Sequence, residues 1–219
     1  MATPQKRQKA DAFKSGFIRD ACFSSLHEFP VLKCTTYKPT KVVPFDKAAR
    51  TTNFDQWLHF YIDDHRFECV WRNPKQYLNL LKRFAGVITP DFSLYQDLPL
   101  VMQMWNTYRN RAIAHWLQSN GVKIIPNVRW GDERTYAFAF EGLEQGGTVA
   151  VSTHGCIRNK LDRYYFKKGL AKMLEVLQPS TVVNYSYAPA DILGIYAEKG
   201  VEVIQIDNHL ATVRKEGKA

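Results

Sequence analysis

Six short apolar runs in this chain each end on polar side chains, and those ends hold most of the residues able to do chemistry. They are Asp63, Asp64 and His65; Thr89, Pro90 and Asp91; Asn127, Arg129 and Trp130; Ser152, Thr153 and His154; Asn184, Tyr185 and Ser186; and Asp207, Asn208 and His209. Carboxylates and an imidazole gathered in one place could exchange protons with a substrate, or hold a divalent metal that activates water. Asp64, Asp91 and His154 are the candidate catalytic residues, with Asp207 as a further ligand if a divalent metal is the cofactor. Asn127, Arg129, Trp130, Thr153, Tyr185 and Asp207 are the candidate substrate-binding residues. No close-spaced ligand motif accompanies the acids. A carboxylate pair could cleave a glycoside without metal. Ser152, His154 and an aspartate could form a nucleophile with its base, although no G-x-S-x-G elbow surrounds Ser152.

Each residue also has a plainer reading. Strand ends turn into helix N-caps, which favour Asp, Asn, Ser and Thr. His154 could be held in its loop by hydrogen bonds. Trp130 could be a stacking platform for a base or sugar, or the edge of a core. Asp91 is harder to read as a cap, because Asp97 lies nearer the helical pattern that starts around Leu98.

Positioning such residues requires a scaffold, and the chain's periodicity supplies one. From Trp57 onward, β-rich runs alternate with helical stripes: Trp57–Ile62, Val87–Thr89, Val122–Val128, Thr148–Ser152, Thr181–Asn184 and Val201–Ile206. Between them, Pro74 opens a helix after Asn73 as N-cap. Leu98–Asn120 repeats its apolar residues at three- and four-residue steps, with Gly121 as the C′ residue. Leu161–Gln178 stops at Pro179, and Ala190–Lys199 closes on Gly200. This is the rhythm of βαβ units. It predicts an α/β fold: a mostly parallel sheet of about six strands with covering helices, open or curled into a partial, TIM-like barrel. In such folds ligands bind beyond the carboxyl ends of the strands, where the polar residues above would gather. Gly131–Gly147 is ambiguous, its segment Tyr136–Leu143 reading as a short helix or an extra strand. The spacing predicts a short helix near 15–27, and Val31–Tyr37 reads as a short strand.

The division expected is a basic arm with irregular cover over 1–50, one α/β domain over 51–213, and a basic tail over 214–219. The formal net charge is +9. Residues 1–50 hold ten Lys or Arg against four Asp or Glu, so most of that excess lies outside the body. It points to a polyanionic partner. Lys6, Arg7, Lys9, Lys14 and Arg19 are the candidate nucleic-acid contacts. The run Arg158, Lys160, Arg163, Tyr164, Tyr165, Lys167 and Lys168 could also meet phosphates, or be a solvated helix face. No stretch of about eighteen apolar residues exists, so no membrane span is expected. The polar start, Met1 to Asp11, has no secretory character. Cys22, Cys34, Cys69 and Cys156 are too irregularly spaced for a zinc ribbon and read as reduced thiols of a cytoplasmic protein. Walker A, G-x-G-x-x-G and H-E-x-x-H signatures are absent.

Several longer stretches carry a family resemblance. They are Gly86-Val87-Ile88-Thr89-Pro90-Asp91-Phe92-Ser93-Leu94-Tyr95, Tyr108-Arg109-Asn110-Arg111-Ala112, Ile124-Ile125-Pro126-Asn127-Val128-Arg129-Trp130 and Val149-Ala150-Val151-Ser152-Thr153-His154-Gly155. Together they resemble the family catalogued as domain of unknown function 4417, over roughly residues 55–210 as a pattern match. Its members occur in bacteria, phages and plasmid-like elements, so the resemblance implies a phage or mobile-element setting. It implies no activity, cofactor or catalytic residue.

The function expected is a nucleic-acid-associated protein of a phage or mobile element, serving replication, maintenance or conflict with the host, with a polar pocket at the strand ends. A cytosolic, metal-dependent hydrolase of a phosphorylated or glycosyl substrate is the alternative. A third is an inhibitor or adaptor that binds a host protein.

Overall fold

The computed structural model describes residue 11 and residues 14–208. Among these, seven strands form: β1 (Val42–Pro44), β2 (Trp57–His59), β3 (Gly86–Ile88), β4 (Ile124–Ile125), β5 (Thr148–Ser152), β6 (Thr181–Tyr185) and β7 (Glu202–Ile206). All paired neighbours are parallel, in chain order: β1-β2-β3-β4 as one ladder and β5-β6-β7 as another. The ladders meet at an Asn127–Ala150 bridge. There the Val128 N–H donates to the Ala150 carbonyl and the Ala150 N–H to the Pro126 carbonyl, each at 2.8 Å.

The array is strongly curled. Rings on β2 and just beyond it meet a ring on β6: His59 and Tyr185 centroids are 4.4 Å apart, and Tyr61 and Tyr185 centroids 4.8 Å. In a flat sheet, four strand spacings would separate them by about 19 Å. Trp57, Ile88, Ile125, Ala150, Val183, Tyr185 and Ile206 share one inward-facing cluster, drawn from β2 to β7. At the opposite end, Lys38 ahead of β1 pairs with Glu202 of β7 at 2.6 Å. No ladder joins β1 to β7 among the described residues, so the sheet is an open, curled α/β array and not a closed barrel.

Period-two alternation sends the other side chains outward, under helices. Leu58, Val87 and Ile124 pack with Ile113 and Leu117 of α3 (Leu100–Ser119), and with Val70 and Leu81 of two shorter helices, α1 (Glu68–Arg72) and α2 (Pro74–Leu81). Val149, Val151 and Val182 pack with Phe166, Leu170 and Met173 of α5 (Lys160–Leu177), and with Ile192 and Tyr196 of α6 (Ala190–Glu198). Gly169 lets α5 approach closely: a Cβ there would sit 2.1 Å from the Trp130 indole nitrogen.

Some elements differ from the sequence reading. The sheet has seven strands rather than six; Val42–Pro44 pairs in register with Trp57–His59, too short and too proline-bound to show a period. The expected helix near 15–27 is a single 3-10 turn, Ser15–Ile18. Val31–Tyr37 contributes only a bridge from Leu32 to Leu143. Tyr136–Leu143 holds a one-turn helix, α4 (Tyr136–Ala139). Asn73 occupies the N-cap position of α2 without a side-chain capping bond. Pro99, not Asp97, is the N-cap residue of α3. Gly121 follows α3 with φ at +78°, the left-handed geometry expected of a C′ glycine.

Candidate functional site

A hydrogen-bonded chain of buried polar groups crosses the carboxyl-terminal rim of the array. Trp57, His59 and Tyr61 alternate inward from β2, which brings the Tyr61 hydroxyl to Asn127 Oδ1 at 3.0 Å. Asn127 Nδ2 donates to Asp91 Oδ1 at 2.8 Å. The other Asp91 oxygen lies 3.5 Å from Arg129 Nη1, and that nitrogen is 2.8 Å from Cys156 Sγ. Asn127 is itself fixed: its N–H donates to Thr89 Oγ1 at 2.8 Å. Beneath, the fully buried Arg111 of α3 donates Nη2 to the Ala139 carbonyl (2.7 Å) and Nε to that of Glu141 (3.0 Å). Near Asp91, Asp64 accepts from both the N–H and the hydroxyl of Ser93, each at 3.0 Å.

Burial and charge act against each other here. Burial pushes the Asp91 carboxyl above its ordinary value, while Arg129 and Asn127 favour its charged form. Burial works against the charge of the facing Arg129, but Asp91, Cys156, Asp64 and Tyr61 together outweigh it and hold the guanidinium cationic. Burial also raises the Tyr61 hydroxyl and the Cys156 thiol, so both stay protonated near neutrality. Burial brings Arg111 down to about 10. Partial desolvation, then the cations Arg158 and Arg129, hold the His154 imidazole below its usual value.

Arg129 opens onto a cleft of about 380 Å³. Arg158, Cys156, Trp130, Tyr165 and Tyr95 share its walls. A guanidinium anchored from behind by a carboxylate presents its remaining donors in a fixed plane, a geometry suited to phosphate or carboxylate oxygens.

The structure brings Asp91, Asn127 and Arg129 into direct contact and places Asp64 near enough to feel Asp91. The remaining candidates have other surroundings. Trp130 is buried, donates its indole N–H to the Tyr165 carbonyl at 3.3 Å and packs on Phe166, so it forms a wall of the cleft. Thr153 donates its hydroxyl to the Tyr187 carbonyl at 2.8 Å, which ties two strand exits together. Tyr185 stacks inside the array on Tyr61. His154 stands at the rim, its backbone N–H on Ser152 Oγ at 3.1 Å, so Ser152 meets the His154 main chain and not its ring. Asp207 follows β7, partly exposed. Among the described residues no three His, Cys, Asp or Glu side chains group to hold a metal. Lys14 donates its ammonium to the Arg72 carbonyl at 2.8 Å, and Arg19 is exposed. Lys6, Arg7, Lys9 and the tail over 214–219 lie outside the described residues. No helix among the described residues is long and apolar enough to cross a membrane.

Sequence reasoning missed Tyr61 and Cys156 as site residues and the burial of Arg111; it placed Arg158 only in a basic run that could meet phosphates. Tyr61 was accessible from alternation, being two and four residues beyond inward His59 and Trp57. Arg111 carried no signal, since an arginine on a helix is ordinarily solvated.

The Gene 1 protein of Mycobacterium phage D29 is 35% identical over 165 residues, covering 74% of this chain and 61% of that protein. The Gene 1 protein of Mycobacterium phage L5 is 35% identical over 168 residues, covering 74% of this chain and 72% of that protein. The chain thus spans less than two thirds of the D29 relative's length. No solved structure matches. The profile of the family described as "Domain of unknown function (DUF4417)" matches residues 21–206, beginning upstream of the stretch that carries the resemblance. By that match and by its phage relatives, the chain belongs to the DUF4417 family.

Proposed function

We propose that this chain is a nucleic-acid-associated phage protein whose cleft receives a phosphate-bearing nucleotide. One observation carries the reading: Arg129, anchored by buried Asp91, faces a cleft that it shares with exposed Arg158 and the rings of Tyr95 and Tyr165. Two guanidinium groups match a phosphate, and tyrosine rings match a base or sugar. The cleft's volume is that of a small-molecule site. The phage relatives and the basic balance of the whole chain agree with a polyanionic partner. Replication, maintenance and host conflict are the settings in which a phage protein meets such a ligand.

The test is a titration with thymidine 5′-monophosphate against thymidine, followed by NMR or calorimetry. The monophosphate should bind, thymidine should bind far more weakly, and Arg158→Gln should weaken the monophosphate alone. Equal binding of both, or none of either, would end the reading.

A further inference from the structure

The cleft is not the only depression that α5 lines. Its outer face forms, with α6, a groove of about 450 Å³ bordered by Lys160, Arg163, Tyr164, Lys167, Lys168 and Asp191. Residues 158–172 hold six Lys or Arg against one Asp. Asp191 pairs with Arg163 and with Lys167, the latter at 3.1 Å, and so offsets part of that charge. Two large rings stand out beside these cations: Tyr164 is 48% exposed and Tyr187 is 72% exposed. Burying neither ring leaves apolar faces in water, a cost that a stacked partner would remove. Lys168 Nζ lies 5.7 Å from the Tyr164 ring, and Tyr187 is near enough to Arg163 to act on its charge. The groove and the cleft also lie next to each other along α5, though they share no lining residue. Tyr164 borders one and Tyr165 the other, with ring centroids 5.4 Å apart, and Arg158 enters the cleft just ahead of the helix.

We propose that the outer face of α5, with Tyr187, binds single-stranded nucleic acid, its bases on Tyr164 and Tyr187, its phosphates on Lys160 and Lys168, and one nucleotide turned into the cleft. Exposed rings interleaved with cations need a partner that offers both base faces and phosphates. A duplex hides its base faces inside the stack, and an acidic protein has none. The placement of one nucleotide in the cleft rests on the reading given under Proposed function; the strand-binding face does not.

The experiment uses the full chain and a fluorescent oligothymidylate, with a duplex of equal length and polyglutamate as competitors. The oligothymidylate should bind, and both competitors should be weaker. Tyr164→Ala and Tyr187→Ala should each weaken binding about fivefold or more, by the usual worth of one stacked base. Lys160→Gln with Lys168→Gln should flatten the dependence of log affinity on log salt by about 1.4, or about 0.7 per lost phosphate contact. All four side chains are at the surface, and a thermal melt of each variant checks its fold. The inference is overturned if oligothymidylate does not bind, if duplex or polyglutamate binds as well, or if the tyrosine variants bind like the parent. Thymidine monophosphate separates the two readings. If it fails to bind while the tyrosine variants lose oligothymidylate, the cleft reading falls and the strand-binding face stands. If it binds while the variants are unchanged, the reverse holds.

Discussion

The two halves of the curled sheet are built differently. Strands β1 to β4 are two or three residues long, and long loops supply the polar groups of the rim. Those groups face inward: Asp91, Asn127 and Tyr61, together with Arg111 of α3, are all buried and bonded to one another or to main-chain carbonyls. Strands β5 to β7 are five residues long and lie under α5 and α6. Their strand exits bury Ser152, Thr153, Tyr185 and Ser186, but the segments that follow leave His154, Arg158, Tyr164 and Tyr187 exposed. Arg129 lies at the seam, just past the bridge that joins the halves. The contrast separates two tasks. The first half holds one guanidinium in place, because buried, fully bonded polar groups have little freedom to reorient. The second half offers side chains that can adapt to a ligand.

Four outcomes would break or sharpen that contrast. Asp91→Ala removes the carboxylate behind Arg129 and leaves a partly exposed cation and the buried Asn127 amide without that partner. It should cost about 1–3 kcal/mol in urea unfolding. A cost under 1 kcal/mol would show that the inner network does not hold the rim. Gly169→Ala drives a methyl into the Trp130 indole, where no space exists. Overpacking of that kind costs about 1–3 kcal/mol; a neutral result would mean that α5 moves freely against the seam. Arg158→Gln lies on the adaptable side. Its stability should stay within about 0.5 kcal/mol of the parent, while affinity for thymidine monophosphate falls about tenfold by loss of one charge-assisted contact. The smallest effect is expected at Asp191. Hydrogen bonds from Arg163 and Lys167 hold its carboxyl down to about 2, against an ordinary 3.8. A depressed acid stabilises the fold above its unfolded pKa and loses that contribution as pH falls through the folded one. Asp191→Asn should therefore lower the neutral plateau slightly, the pair being exposed, and flatten the acid limb between about pH 4 and 2, so that variant and parent stability–pH curves converge at low pH.

Asp91 runs the other way. Its folded pKa is raised by burial, so its contribution is fullest below the ordinary 3.8 and declines as pH rises through the folded value. Protonating Asp91 therefore does not by itself favour unfolding, whereas protonating Asp191 does, by a small amount.

Much of the scaffold is legible in the residue pattern alone. Thr148–Ser152 matches β5 residue for residue, because a β-branched run buried on both faces between a glycine pair and a turn has few other fates. Leu100–Ser119 is equally plain, from twenty residues without proline or glycine. Val42–Pro44 is not, since three residues show no period and Pro44 argues against a strand. The contents of the rim are half legible. Asp91, Asn127 and Arg129 stand out as polar residues leaving strands, yet so do Thr153, which ties two loops, and Tyr185, which fills the interior.

The order of apolar runs and breakers along the chain was enough to establish parallel strands, covering helices and the end of the sheet where polar groups collect. Local periodicity decides those matters, and periodicity is a property of neighbours in sequence. Which polar groups touch was decided by tertiary pairing: neighbouring strands β3 and β4 bring Asp91 to Asn127 across 36 positions, and the array as a whole brings Tyr61 to Asn127 across 66. The same tertiary packing turned Arg111 from a helical surface residue into a buried support and left Arg158 in the open. Burial depends on what arrives from far along the chain, and no local pattern records that.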